Sequence, residues 1–243
     1  MKRPLLICTL LGLCSMSPAM ATTAATASID WSSLTITLYD LDPLDGIAPS
    51  FSWTDQSTQV FSFAESEAFD TVADWTSALS AQLNQTFAQA DASTLATQST
   101  QVAGSTSLFS DATAERYAGF SISANTLALI SVSGSYAVST DGPEDYAYAY
   151  VGLNTWGPGA TGVGEQENYS GIGSYLESLG QAPDAQSGIM SVTFANLTNA
   201  VMSGEFSASV SAGTTVAAVP EPGSYAMFLA GLGLMGLVAR RRS

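Results

Sequence analysis

The residues able to do chemistry in this chain are carboxylates, hydroxyls and aromatic rings, and their spacing decides what each group can do. Glu65 with Glu67, and Glu165 with Glu167, form i, i+2 pairs. On a strand such pairs share a face, ordinarily the wet one. Glycoside hydrolysis instead needs two acids ~5–10 Å apart across a cleft, one of them with a raised pKa. No catalytic residue and no enzymatic activity is therefore expected. "YDLDPLDG" gathers Asp40, Asp42 and Asp45 beside Gly46. Calcium takes several oxygens in a glycine-hinged turn, so these three aspartates are the candidate metal ligands. The spacing departs from an EF-hand, because Asp45 stands where the glycine belongs and no glutamate follows near Trp53. An aspartate-rich turn is the competing reading, and it also covers Asp141, Glu144 and Asp145. Trp31, Trp53, Trp75 and Trp156, with Tyr146, Tyr148 and Tyr150, offer rings for stacking on sugars. Such rings in β proteins more often sit in or half in the core.

Composition closes other routes. There is no histidine, which removes Ser-His-Asp and Cys-His nucleophile systems, His-ligated zinc and an imidazole general base. Both cysteines, Cys8 and Cys14, lie close to the N-terminus, so no disulfide framework staples the body. The formal net charge is −15. The basic residues are Lys2, Arg3, Arg116, Arg240, Arg241 and Arg242, which leaves the body Arg116 alone against about twenty carboxylates. Nucleic acid is excluded as a partner, since phosphate binding needs Lys and Arg. "GLGLMG" matches G-x-G-x-x-G but lacks the strand, βαβ unit and downstream acid of a dinucleotide site. Close helix packing in a membrane explains these glycines better, and no cofactor is expected.

The elements that must position these groups are mostly strands. "SLTITLYDLD" sets Leu34, Ile36 and Leu38 on one face and Thr35, Thr37 and Tyr39 on the other. "LALISVSGSYAVST" sets Ile130, Val132, Tyr136 and Val138 against Ser131, Ser133, Ser135 and Ser139. "DYAYAYVGL" alternates Tyr146, Tyr148 and Tyr150 with Ala147, Ala149 and Val151, and two further segments place Met190, Val192, Phe194 and Phe206, Ala208, Val210 on shared faces. Period-two patterns of this kind bury one face and wet the other. Turn clusters such as "DPLDGIAPS", "SAN", "TDGPED" and "NTWGPGATGVG" separate them. Many short strands with regular turns predict an all-β, antiparallel β-sandwich or jelly-roll-like ectodomain. One segment differs: Val72, Trp75, Leu79, Leu83 and Phe87 recur at three- and four-residue intervals, with Asp70 or Thr71 placed to cap. That spacing suggests a short helix across one end of the sandwich, although "TFAQADAST" alternates again and leaves strand as the alternative.

Both ends read as processing segments. Lys2 and Arg3, the apolar run Leu5 to Leu13 and "SPAMA" have the form of a secretory signal peptide, with Ala19 and Ala21 supplying the small-x-small cleavage site. At the other end, Tyr225 to Ala239 is an apolar run shorter than the ~17–25 residues a stable span requires. Its drivers, among them Phe228, Leu229, Leu232 and Leu237, supply only about 2–4 kcal/mol of insertion energy. Arg240, Arg241 and Arg242 form a cytoplasmic stop by the positive-inside rule. The tail reads as a temporary membrane hold. Pro220 and Pro222 flank Glu221 and stiffen the approach into an extended segment that a processing enzyme could grip.

"VPEPGSYAMFLAGLGLMGLVARRRS" resembles the PEP-CTERM sorting signal, with the Pro-Glu-Pro motif, a short glycine- and leucine-rich helix and a terminal arginine cluster in order. The resemblance covers about the last twenty-four residues. It implies recognition of Pro220, Glu221 and Pro222 by an exosortase, a membrane transpeptidase of Gram-negative bacteria, then removal of the tail and delivery to the cell surface or exterior. Such substrates are often associated with exopolysaccharide and biofilm matrix. A plain membrane-anchored protein is the alternative. "LYDLDPLDGIAPSFSW", the serine-rich strands and "MSVTFANLTNAVMSGEFSASVSA" are similar to the all-β ectodomains of other proteins with this signal, which bears on fold and location. The acceptor-like sequons at Asn84, Asn168 and Asn196 carry no expected glycan in a bacterial chain.

The chain therefore divides into a signal peptide (1–21), a β-sandwich body (22–210), a linker that begins as the end of a strand (211–219) and a sorting tail with a C-terminal transmembrane helix (220–243). Expected partners are signal peptidase, exosortase, the membrane before processing, and exopolysaccharide. A structural matrix role, a carbohydrate-binding module and a calcium-binding adhesion-like domain stay open for the body.

Overall fold

The computed structural model describes residues 23–64, 66–83, 87–92, 97–103, 109–140, 145–177 and 181–216, with Leu232 and Met235 alone in the C-terminal segment. Ala21–Ala217 forms one unit. Its described strands are β1 (Ala24–Asp40), β2 (Phe51–Phe63), β3 (Glu67–Val72), β4 (Leu79–Gln82), β5 (Phe87–Ala92), β6 (Thr97–Ala103), β7 (Ser110–Ile122), β8 (Thr126–Ser139), β9 (Tyr146–Pro158), β10 (Glu165–Glu177), β11 (Asp184–Asn196) and β12 (Met202–Thr215). They build two six-stranded sheets, ordered β11-β8-β1-β6-β5-β4 and β10-β9-β12-β7-β2-β3. Every pairing described is antiparallel. The all-β antiparallel sandwich is thus present. β12 continues to Thr215, five residues beyond the body boundary read from sequence.

The alternation sets the core. β7 buries every second residue from Ser110 to Ile122, and β8 does so from Thr126 to Val138. The shared interior is graded along the strands. Ala112, Ala212 and Ala149 are register partners across three neighbouring strands at one end, and Ala118, Phe206 and Thr155 are partners further along. The second region thickens into an aromatic cluster: Trp31 and Trp75 have centroids 5.3 Å apart, Trp53 and Phe206 5.2 Å, Phe120 and Phe194 4.9 Å. Small alanines fill the interior at one end and large rings at the other, as close packing requires.

The expected helix is not there. Residues 67–72 and 79–82 are strands, and residues 73–77 are bends. The physical reason is strand pairing on both sides: β3 ladders with β2 and β4 with β5, which takes up the backbone groups a helix would need, and Asp74 Oδ1 closes the turn between them by accepting the N–H groups of Thr76 and Ser77 at 2.7 and 2.6 Å. Trp75 then enters the sandwich with 3% exposure and donates its indole N–H to the carbonyls of Ser57 and Tyr117. Those carbonyls lie beside an irregularity in β2, where register shifts between Thr54 and Ser57.

One seam of the sandwich is closed by side chains. Gln166 of β10 bonds both the carbonyl and the N–H of Ala195, Asn168 accepts from the Thr193 N–H at 3.1 Å, and Ser170 accepts from the Ser191 N–H at 3.3 Å. β10 therefore satisfies the outer edge of β11, a sheet edge otherwise open to pairing with another chain. The loop end is tied by asparagines. Asn196 is fully buried and donates to the carbonyls of Ser123 and Ala200, while Asn125 donates to Asp45 at 2.8 Å. A buried Asn196 has no room for a glycan, whatever its sequon.

Candidate functional site

The sequence-selected residues separate rather than converge. Asp40, Asp42 and Asp45 lie between β1 and β2, and each accepts a backbone N–H two residues on: Asp42, Leu44 and Ile47 respectively. This is consecutive Asx-turn geometry. The hydrogen bond from Asn125, followed by that from the Ile47 N–H, holds the Asp45 carboxyl below its ordinary value. No group of three His, Cys, Asp or Glu side chains able to hold a metal occurs among the described residues. Asp145 is buried and accepts from the Thr23 hydroxyl. Asp141, Glu144, Glu65 and Asn84 lie outside the described residues. Glu165 and Glu167 are exposed neighbours on β10, and Glu167 accepts from Asn154 at 2.9 Å.

The aromatic set divides by face. Trp31 and Trp75 are core, and Trp53 packs against it. Tyr146, Tyr148 and Tyr150 point outward, since Ala147, Ala149 and Val151 are the buried half of β9. Register extends their face across three strands. Tyr148 is opposite Tyr175 on β10 and Gly213 on β12, and Tyr150 is opposite Gly173 and Ser211. Tyr169 and Trp156 continue the same face, opposite Asn154 and Glu167 respectively.

Glycines shape this surface. A Cβ on Gly213 would fall on the Tyr148 ring, one on Gly152 on the end of Tyr150, and one on Gly171 between the hydroxyls of Tyr169 and Tyr150. The rings therefore lie down across the sheet in gaps that only glycine leaves. Tyr150 and Tyr169 have planes within 8° of each other and centroids 6.3 Å apart, both reaching the same gap at Gly171. The result is a ring-lined platform in which Tyr150 and Tyr169 lie parallel while Tyr146 is tilted 43° from Tyr148 and 39° from Tyr175. A trough of about 370 Å³ covers the Tyr148 end, and one of about 700 Å³ lies around Trp156, Tyr117 and Glu167.

Burial raises the hydroxyl pKa of Tyr146, Tyr148 and Tyr169, and Asp111 adds to the effect at Tyr148. Tyr117, on the same face, is pushed up to about 12 by burial and then by Glu115, to which it donates at 2.8 Å. These phenols stay protonated donors at neutral pH. Arg116 points the other way, into the core, with its guanidinium 4.9 Å from the Trp31 ring centroid. Burial lowers it to about 10, against the opposing pull of Asp74. The platform thus presents hydroxyls, rings and carboxylates without a cation.

These features define a class: an acidic two-sheet β-sandwich followed by a separate C-terminal tail. The chain carries a PEP-CTERM protein-sorting motif, since the family model of that description matches residues 218–242. Such a tail indicates exosortase-dependent sorting toward the cell surface. No curated protein and no solved structure matches the chain. The sorting residues Pro220, Glu221 and Pro222, the arginine stop Arg240, Arg241 and Arg242, and the cleavage residues Ala19 and Ala21 lie outside the described residues. Among the described residues no helix is long and apolar enough to cross a membrane.

Proposed function

We propose that this protein is an exported, non-enzymatic component of the cell surface or its polysaccharide matrix. Signal peptidase removes the N-terminal segment. The short apolar tail holds the chain in the membrane, N-terminus outside, until an exosortase reads Pro220, Glu221 and Pro222 and discards the rest. The observation that carries this reading is the match of the sorting motif over residues 218–242. The weak insertion energy of so short a run supports a transient tether over a lasting anchor. The body contributes an acidic shell, which favours solubility in a crowded exterior.

The test is replacement of Pro220, Glu221 and Pro222 by alanine in the producing cell. The expected result is a membrane-held precursor that keeps its C-terminal arginines. Release of that variant at the normal level, trimmed as usual, would overturn the reading.

A further inference from the structure

Glycine in strand interiors weakens a sheet and marks places where another group approaches the backbone closely. Here Gly152, Gly171, Gly173 and Gly213 occupy one outer face, spread over β9, β10 and β12, and tyrosine rings fill the gaps. Rings that lie on a sheet expose their flat sides to whatever lies above. Tyr169 and Tyr175 remain 55% and 62% exposed among the described residues. The face runs on from the tyrosines to Trp156, and roughly 27 Å of strand separates Tyr148 from Trp156. It is a track, not a pocket.

Charge selects the occupant. The body's one cation, Arg116, is buried in the core, whereas Glu167 and Glu205 line the track and Asp111 and Glu115 of the neighbouring β7 flank it. An anionic polymer would be repelled. A second copy laid face to face would oppose these carboxylates with its own. A neutral, hydroxyl-rich chain meets neither penalty. Its hydroxyls donate to carboxylates in charge-assisted hydrogen bonds, and its C–H-rich sugar faces meet the electron-rich faces of the rings.

We propose that the outer face of β9, β10 and β12 binds an extended neutral polysaccharide, stacking its sugar rings on Tyr150, Tyr169 and Tyr175 while its hydroxyls donate to Glu167 and Glu205. The inference rests on the matrix reading for the presence of such a polymer, and on the platform's geometry for its binding.

The test uses the full chain purified in mild detergent, so that tail processing plays no part in the outcome. Affinity electrophoresis is run against soluble neutral β-glucan, mannan and galactan, with alginate as the anionic comparison. Retardation by at least one neutral polymer and none by alginate is expected. The Tyr169→Leu/Tyr175→Leu variant should bind at least tenfold more weakly at an unchanged melting temperature, and Tyr169→Phe/Tyr175→Phe should bind as the parent does. A second readout, the tyrosine difference spectrum of the parent protein on adding the retarding polymer, keeps the test decisive should the leucine variant not fold. A perturbed spectrum supports the proposal. Failure to bind any of the neutral polymers, equal binding of alginate, undiminished binding by a folded leucine variant, a flat spectrum at saturating polymer, or self-association that the leucine variant abolishes would each overturn it. A protein that sorts normally yet fails here loses the platform and keeps its destination; one that binds here yet ignores the Pro-Glu-Pro substitutions keeps the platform and loses its route.

Discussion

The two outer faces of the sandwich come from the same alternation and end up chemically different. On the first sheet, serines meet across strands: Ser28 and Ser135 are 2.9 Å apart, and Ser131 and Ser191 are 2.8 Å apart. These hydroxyls satisfy one another and leave a low surface with its polar groups already engaged. On the second sheet, tyrosines lie over glycines and leave ring faces and carboxylates turned to solvent. Strand periodicity decides which residues face out. Local hydrogen bonds close on both faces, Ser52 with Ser121 and Asn154 with Glu167 on the second sheet as well; what the second offers in addition is rings laid over glycines.

The largest effect tests the interior that both faces share. Phe206 is fully buried against Trp31, Trp53 and Trp75, so Phe206→Ala should lower unfolding free energy by about 3–5 kcal/mol in urea titration. A loss below 1 kcal/mol would mean the aromatic cluster does not hold the sheets together. Gly134 comes next. It faces inward on β8, where a Cβ would come within 2.6 Å of Met190 Cε and 2.9 Å of Val151 Cγ1. Gly134→Val should cost about 1–3 kcal/mol by overpacking. The outward Gly171→Val should instead displace Tyr150 and Tyr169, with a changed near-ultraviolet tyrosine signal and a smaller stability loss, since those rings can lift into solvent.

Alkaline pH separates the faces without mutation. Tyr117, Tyr136, Tyr146, Tyr148 and Tyr169 have folded pKa values raised above that of the unfolded chain, chiefly by burial. The folded state therefore keeps protons that the unfolded state releases. The stability tied to these groups is fully present below pH ~10 and falls as pH rises through their folded values. Arg116 opposes this, because its folded value is lowered to about 10 and the unfolded chain binds the extra proton over the same window. One group against five leaves a net loss, so denaturant midpoints should decline above pH ~10 while phenolate absorbance lags behind that of the unfolded protein. Smallest of all, Ser131→Ala should change stability by no more than about 0.5 kcal/mol, as for an exposed hydroxyl pair.

Much of this was legible in the residues, and the reasons for the remainder are local. Leu34, Ile36 and Leu38 pack against the core as their spacing implies, and Ile130, Val132, Tyr136 and Val138 line it. The segment around Trp75 misled because helical spacing says nothing about which strands will take the backbone donors, and here β2 and β5 do. The aromatic residues could not be sorted from composition. Trp31 and Trp75 joined the aromatic cluster of the core, whereas β9 turned its alanines inward, Ala149 against Ala212 of β12. The platform had one sequence signal, the coincidence of "YAYAY" with "YSGIGSY". Its meaning needed the register that sets Tyr150 against Gly173 and Tyr148 against Tyr175. The sorting tail needed no fold at all, since its motif, apolar run and arginines are contiguous.

The central claim is that the C-terminal segment is an address which is read and then removed. Intact mass measurement of the protein recovered from outside the producing cell tests it directly. The account predicts a chain that begins at Thr22 and lacks Arg240, Arg241 and Arg242. An external protein that still carries those three arginines would contradict it.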